Sequence, residues 1–192
     1  MTVHATQLDS GERELIVGAQ RGDRSAFKTL YDRYRDRVYN LIFYSMGDEL
    51  VSEDILQVVF IKIYRGLPGF RFEANLATWI YRITLNECLN QQRRRGAQYV
   101  PFEAILGSDD EFDTAAPPDL EHAEKERREI IRGAMMELTP KLRDVIALKY
   151  LEGLSYEEIA SVLECAPGTV ASRLNRALEQ LEARLRPLRR LL

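Results

Sequence analysis

This sequence has few residues that could form disulfides or bind metals, and no long apolar segment. Its 192 residues include two cysteines, Cys88 and Cys165, and two histidines, His4 and His122. The cysteines have no CxxC partner and the histidines stand alone, so we expect no disulfide or metal site and treat both cysteines as small packing residues. No apolar run is long enough for a membrane span or a secretory signal. These absences predict a soluble, cytoplasmic protein without membrane insertion.

Catalytic signatures are also lacking. The sequence has no Gly-rich phosphate loop and no nucleophile beside a base, and its carboxylates are spread over predicted helix surfaces. The first 96 residues show no alternating strand pattern. We therefore expect an all-α protein that is not an enzyme and needs no cofactor.

The net acidic charge comes from the middle of the chain. The net charge is −3, yet residues 97–129 hold ten acidic and three basic side chains, whereas the segments before and after are slightly basic. The Gly, the paired Pro and the clustered carboxylates of this middle segment are not compatible with a continuous helix. We interpret 97–118 as a flexible acidic linker between small helical domains at 1–96 and 119–192. It could lie against a basic protein channel or be a solvated loop, and the sequence favours neither.

The pattern from residue 155 to 176 predicts two short helices joined by a sharp turn. Ser155 is followed three residues later by Glu158, which is a capping-box spacing. Pro167 fits the opening of a second helix, where its missing N–H costs nothing. Apolar residues then recur at spacings of four and three, at Val170, Leu174, Leu178 and Leu181.

The other face of this second helix carries residue types that read DNA. These are Thr169, Ser172, Arg173 and Arg176. A helix fits the major groove, where Arg can bond a guanine edge bidentately and Ser or Thr can reach bases or phosphates. The pattern is typical of a DNA-binding helix-turn-helix, the alternative being an ordinary helical hairpin with a solvated face.

Local signals predict the scaffold before this motif. Thr139-Pro140 should cap and start one helix, and Glu152-Gly153 should end it. Glu164 stands in a turn where Gly, Asn or Asp would enter a left-handed conformation more easily, so modest strain is expected there.

Long amphipathic helices are predicted for the first domain. After Gly22-Asp23, apolar residues repeat every three or four positions from Ala26 to Ile42. A further helix is predicted to start at Ser52-Glu53-Asp54, with a capping hydroxyl and acids at the positive end of its dipole. Asp54 and Gln57 share a side of that helix that could meet a partner, although polar faces are usually only solvated.

The segment from Phe70 to Arg95 combines aromatics, amides and a terminal arginine run. Aromatic faces stack on unpaired bases, amides such as Asn86 can bond base edges, and arginines neutralise phosphates. The alternative assigns Trp79 to the core and the arginines to a favourable helix C-terminus.

Four blocks in fixed order resemble one family over most of residues 15–187. They are G-D-R-S-A-F-K-T-L-Y-D-R-Y, S-E-D-I-L-Q-V-V-F-I-K-I-Y-R-G-L-P-G-F, A-T-W-I-Y-R-I-T-L-N and L-S-Y-E-E-I-A-S-V-L-E-C-A-P-G-T-V-A-S-R-L-N-R-A. The sequence is similar to the extracytoplasmic-function sigma factors of the sigma-70 family. This resemblance implies a region 2 helical bundle, a region 4 helix-turn-helix and promoter-specific initiation in a stress response. It also implies bacterial core RNA polymerase, promoter DNA and an anti-sigma factor as partners.

The resemblance also implies roles for residues. Contacts to the polymerase clamp fall on Asp54, Gln57 and Phe60. Contacts to the minus-ten element fall on Phe70, Arg71, Asn75, Trp79, Arg82, Asn86, Arg93, Arg94 and Arg95. Among these, Phe70 and Asn86 belong to a pocket for a flipped base, which the loop from Arg71 to Leu76 closes. Contacts to the minus-thirty-five element fall on Thr169, Ser172, Arg173 and Arg176.

Four positions depart from the family pattern. Val58 replaces a common acidic residue, which removes a salt bridge to the clamp. Phe72 replaces a usual Gly, so we expect the loop to be less free to take a positive φ and its base preference to differ. Ala171 and Leu178 replace frequent cations, which should weaken phosphate contacts on the recognition helix.

Two other classes of protein compete with this interpretation. A free-standing helix-turn-helix regulator would bind duplex DNA alone as a dimer, but such proteins usually bring an α/β sensor domain. A helical adaptor would bind only protein and would be insensitive to changes at Arg173 and Arg176.

Overall fold

The computed structural model describes residues 10–96 and 120–188, and this part of the chain contains helices and turns without strands. The predicted linker at 97–118 lies outside the described residues. The helices are α1 (Ser10–Gln20), α2 (Arg24–Met46), α3 (Glu49–Gly66), α4 (Leu76–Gly96), α5 (Leu120–Met136), α6 (Pro140–Ile146), α7 (Tyr156–Val162) and α8 (Pro167–Leu185). The all-α prediction is confirmed. None of the described helices has the length and apolarity that a bilayer crossing needs.

Helix α2 is the central element of the first bundle and begins where the sequence predicts. The carboxylate of Asp23 accepts hydrogen bonds from the backbone N–H groups of Ser25 at 2.8 Å and Ala26 at 3.3 Å. These are donors that the first turn of a helix leaves without partners. The helix ends at Gly47, whose φ of 73° is left-handed. Helices α1, α3 and α4 pack around its buried stripe.

The predicted start of helix α3 was wrong. The helix begins at Glu49, one turn earlier, because the side chain of Asp48 caps it by accepting from Val51 N at 3.1 Å. Ser52 is fully buried, and its hydroxyl donates to the backbone oxygen of Asp48 at 2.6 Å. Ser52 therefore supports the first turn from inside the helix.

Local signals in the second bundle were mostly read correctly. The capping box is present, because Ser155 N donates to the Glu158 carboxylate at 2.8 Å and Glu158 N donates to Ser155 Oγ at 3.2 Å. Helix α6 continues as a π-helical turn at Ala147–Leu151, so the helical run ends at Glu152-Gly153 as predicted. Gly153 has a φ of 69° and Glu164 a φ of 50°, as their turn positions require. Thr139 occupies the N-cap position of α6 without a capping side-chain bond, so Pro140 alone favours that start.

The two bundles pack against each other. Arg143 on α6 donates from Nη1 to the backbone oxygen of Ser45 on α2 at 2.6 Å, and Ser45 Oγ donates to Asp144 at 3.2 Å. At the end of α2, a Cβ added to Gly47 would collide with the sulfur of Met136 on α5. The halves are therefore closely fitted in this arrangement.

Candidate nucleic-acid interface

Helix α8 presents the polar face that the sequence predicts. Val170, Leu174 and Ala177 are buried against the rest of the second bundle. Leu178, which the sequence places in the same apolar stripe, is 42% exposed and does not join this buried side. The side of the helix opposite the buried residues is left for solvent or DNA. Ser172 is exposed there and donates to the backbone oxygen of Thr169 at 3.0 Å.

The two arginines of this helix that the sequence predicts to contact DNA are not equivalent. Arg176 is exposed, whereas Arg173 is half-buried with Nη1 3.9 Å from the sulfur of Cys165. Burial raises the pKa of Asp144 in the interface between the bundles, and the charge of Arg173 partly opposes that rise. Arg176 is the guanidinium that a major groove could engage without changes to packing.

The predicted base pocket is built on an aromatic cluster. The ring of Phe70 is 7% exposed and its centroid lies 5.3 Å from that of Trp79. Gln20 on α1 holds the backbone beneath it by donating to the oxygens of Phe70 at 2.8 Å and Leu67 at 3.1 Å. Trp79 also covers Gly66, where an added Cβ would lie 3.1 Å from the indole. The core interpretation of Trp79 thus accounts for its contacts.

The loop after Phe70 differs from expectation. Phe72 adopts a φ of 60° although it is not glycine, so the replaced Gly did not abolish the left-handed turn. Asn75, a predicted DNA contact, caps α4 by accepting from Ala77 N at 3.0 Å. Its amide oxygen is therefore committed to the fold, a role that sequence reasoning missed despite the cap-forming residue type.

The outer face of α4 continues from this pocket. Trp79, Asn86 and Arg93 are seven residues apart, so they project from nearly the same side of a straight helix. Asn86, Arg93, Arg94 and Arg71 in the loop are all exposed. The side chain of Arg95 lies outside the described residues.

Arg82 faces the second bundle instead of solvent. It donates from Nη2 to the backbone oxygen of Ser161 at 2.9 Å and to Ser161 Oγ at 3.1 Å, and Nε lies 3.9 Å from the Glu164 carboxylate. A predicted DNA contact is thus occupied by helix α7 and the turn after it.

The predicted partner-binding side of α3 is polar at Asp54 and Gln57, and both are exposed. On the same helix Val58 and Ile61 are 40% and 51% exposed, which extends the surface with apolar side chains. Phe60 does not belong to this surface, because its ring is 7% exposed and packs edge-on to Tyr31 with centroids 4.6 Å apart. Its ring supports the helix from the core side, and its predicted partner contact stays a prediction.

Sequence reasoning also missed a polar cluster between the bundles. Tyr81 on α4 donates to the carboxylate of Glu152, which lies 3.5 Å from the guanidinium of Arg37. Burial is the main cause that raises the pKa values of both Tyr81 and Glu152. No motif announces these contacts, since their members are up to 115 residues apart in the sequence.

Asp144 is a second carboxyl of this interface whose pKa is raised. Burial raises its pKa to about 6, while the hydrogen bond from Ser45 and the charges of Arg143 and Arg173 act in the opposite direction. The folded pKa exceeds the ordinary value of 3.8, so the stability that this group contributes is present at low pH. It is lost as pH rises through 6.

An Asp144→Asn variant should therefore gain stability over the wild type at neutral pH. The uncharged amide keeps the acceptor for Ser45 and avoids the cost of burying a charge. We expect the difference in Tm between the variant and the wild type to grow between pH 5 and pH 7.5. Thermal unfolding at several pH values measures this, and a pH-independent difference would contradict the assignment.

Metal-binding side chains and thiols are two further kinds of group in the described residues. No group of three metal-binding side chains occurs among them. Both cysteines are free, and burial raises the pKa of the Cys88 thiol to about 12, so it stays protonated. Cys88 is thus a packing residue, as expected.

Comparison with known proteins adds family matches for both bundles. A family model described as Sigma-70 region 2 matches residues 30–98, and one described as Sigma-70, region 4 matches residues 128–181. The RNA polymerase sigma-H factor of Pseudomonas aeruginosa is 37% identical over 186 residues, covering 93% of this chain and 96% of that protein. The ECF RNA polymerase sigma-E factor of Escherichia coli is 33% identical, covering 92% and 95%.

Solved structures agree with the architecture. The sigma factor RpoE of Bartonella quintana, in complex with the anti-sigma factor NepR, is 25% identical with a TM-score of 0.65, covering 83% of this chain and 96% of that one. CnrH in complex with the cytosolic domain of CnrY is 24% identical with a TM-score of 0.68, covering 93% and 99%. The latter likeness shows the fold alone.

Proposed function

We propose how the residues of this chain divide the task of starting transcription. The chain belongs to the extracytoplasmic-function sigma factors of the sigma-70 family and directs promoter-specific transcription initiation with core RNA polymerase. The family consists of non-catalytic transcription factors that recognise minus-thirty-five and minus-ten elements. We assign this protein no catalytic step and place its action in the cytoplasm, where polymerase and promoter DNA are.

Helix α8 reads the minus-thirty-five element. Arg176 supplies the base or phosphate contact, supported by Thr169 and Ser172 on the same exposed side. Arg173 contributes from its half-buried position once the surrounding contacts adjust. The departures at Ala171 and Leu178 leave few cations on this helix, so polymerase and the first bundle supply much of the remaining affinity.

The first bundle takes the opened minus-ten strand. Asn86 and the exposed cations Arg71, Arg93 and Arg94 line one route along α4 and its preceding loop. The Phe70 and Trp79 rings form the floor beneath a flipped base, whose unstacking costs a few kcal/mol. Arg82 joins this route only when α4 and α7 move apart, because Ser161 accepts its hydrogen bonds in the present arrangement.

Polymerase binds the exposed side of α3, centred on Asp54 and Gln57. The neighbouring Val58 and Ile61 add apolar area where an acidic residue is usual, so this contact depends less on salt bridges. An anti-sigma factor is a further partner, on the analogy of the Bartonella quintana complex.

The observation that carries this assignment is the pairing of two different polar faces, on α4 and α8, with a separate partner-binding side on α3. Run-off transcription with purified bacterial core polymerase tests it, on a template whose start site was mapped after overexpression of this protein. Promoter-dependent transcripts that require the protein are expected. Tight binding to a palindromic duplex without polymerase, and no stimulation of transcription, would favour a free-standing regulator instead.

A double variant Asp54→Ala/Gln57→Ala should weaken binding to core polymerase about tenfold, because each side chain can lose one or two partner contacts. Both residues are exposed, so the free energy of unfolding should stay within about 0.5 kcal/mol of the wild type. The control is Glu179→Ala, which removes an exposed acid on α8 in the second bundle. Fluorescence anisotropy of the labelled protein titrated with core polymerase measures affinity. Equal weakening by the control would argue against a defined contact.

A further inference from the structure

Phe72 fills a place in the loop between the aromatic floor and helix α1. Its ring centroid lies 5.2 Å from that of Phe70 at an interplanar angle of 63°, which is an edge-on contact. On another side the guanidinium carbon of Arg13 sits 4.7 Å from the Phe72 centroid. The Phe72 side chain is half-buried against the core. One ring is thus held between the pocket floor and a cation.

The backbone of Phe72 is strained in this position. A φ of 60° lies in the left-handed region, which is rare for a bulky residue other than glycine. Such a conformation persists only where surrounding contacts outweigh its cost. Here those contacts are the Phe70 ring and the Arg13 guanidinium, so the strain and the ring packing oppose each other.

The Phe72 ring makes two contacts, to an aromatic ring and to a cation, that an unpaired base could also make. An unpaired base is also a flat π surface, and it would use the same aromatic floor and the same cation. Ring and base cannot occupy that space together. The strained φ lowers the cost of moving the ring out, because the loop relaxes when Phe72 leaves.

We propose that Phe72 is an internal plug of the minus-ten pocket, which occupies the place of the unpaired base until single-stranded DNA displaces it. The inference rests on the proposed function and adds a specificity-determining residue to it. A base must compete with Phe72 for the floor, so weakly stacking bases are admitted less readily. Arg13 stabilises the plugged state from outside the loop.

The first test concerns the free, full-length protein. Trp79 is the only tryptophan of the chain and contacts Phe70, so its fluorescence reports on the pocket. Phe72→Gly should make Trp79 more accessible to quenching by acrylamide, and Arg13→Ala should do so to a smaller extent. Arg21→Ala removes an exposed arginine one residue beyond the end of α1 and is the matched control. Unchanged quenching in Phe72→Gly would show that the ring does not cover the pocket.

The second test uses the holoenzyme with a single-stranded minus-ten oligonucleotide from the mapped promoter, carrying 2-aminopurine at the flipped position. Phe72→Gly should bind it about fivefold more tightly, because one aromatic contact no longer has to be displaced. The gain should disappear with an oligonucleotide that is abasic at this position. Weaker or unchanged binding by Phe72→Gly would overturn the plug, as would an equal gain on the abasic strand.

Run-off transcription separates this inference from the function on which it rests. If the wild-type holoenzyme initiates at the promoter and Phe72→Gly gains no affinity for the base, only the plug is wrong. If the wild type gives no promoter-dependent transcript, the proposed function fails and the plug with it. Arg13→Ala keeps the test valid if the Phe72 variant does not fold. Removing the cation that holds the Phe72 ring should also increase the affinity for the oligonucleotide.

Discussion

Replacement of Arg143 by alanine is expected to lower the free energy of unfolding by about 3 kcal/mol, because a buried charged donor with four acceptors is lost. Its guanidinium donates to the backbone oxygens of Met135 at 3.0 Å, Met136 at 2.7 Å and Leu138 at 2.9 Å, and to that of Ser45 at 2.6 Å. Three of these oxygens belong to the end of α5 and the turn after it, and the fourth belongs to α2. The side chain thus closes a turn and joins the bundles.

Chemical denaturation followed by circular dichroism at 222 nm measures this effect. Lys141→Ala is the matched control, because Lys141 is exposed on the same helix and should change stability by less than about 0.5 kcal/mol. Arg143→Lys should recover only part of the loss, since an ammonium cannot reproduce the forked geometry of four acceptors. Equal stability of the alanine variant and the wild type would mean that water replaces these bonds at no cost.

Replacement of Arg176 by alanine is expected to reduce transcription from a minus-thirty-five-dependent promoter about tenfold, since one arginine contact to a base is worth about 1–3 kcal/mol. Arg176 is exposed on α8, so the variant should unfold like the wild type. The loss should therefore come from DNA recognition alone. Run-off transcription with core polymerase, on templates with and without the minus-thirty-five element, measures it.

Arg186→Ala provides the control, because this variant removes the same charge as Arg176→Ala. Arg186 is exposed and lies one residue beyond the end of α8. A similar loss in both variants would indicate a general electrostatic effect instead of a groove contact. The alternative of an adaptor that binds only protein requires that Arg176→Ala leave transcription unchanged. The experiment therefore discriminates between two classes of function.

Helix signals that depend on near neighbours were readable from the sequence. The Ser155–Glu158 box and the glycine at position 153 act within one turn, so their residue types and spacing are sufficient evidence. The start of α3 was misread because Ser52 and Asp48 are both competent caps. Only the structure shows that Asp48 accepts from Val51 while Ser52 is buried.

Contacts within the candidate sites were less predictable. Phe60 shares its helix with Asp54 and Gln57, yet its ring turns into the core against Tyr31. Asn75 carries an amide suited to a base edge, but its oxygen caps α4. In both cases the residue type permits two roles, and neighbouring backbone geometry decides between them.

By itself, the sequence determined the all-helical class, the helix-turn-helix and the family, because hydrophobic period, local caps and ordered motifs are properties of short segments. Tertiary structure alone decided that Arg143 and Tyr81 join the bundles, that Arg82 is held by α7, and that Phe72 lies on the aromatic floor. These contacts link residues far apart in the chain or depend on a strained φ. These contacts stabilise the protein only after distant helices have packed, so no local sequence pattern predicts them.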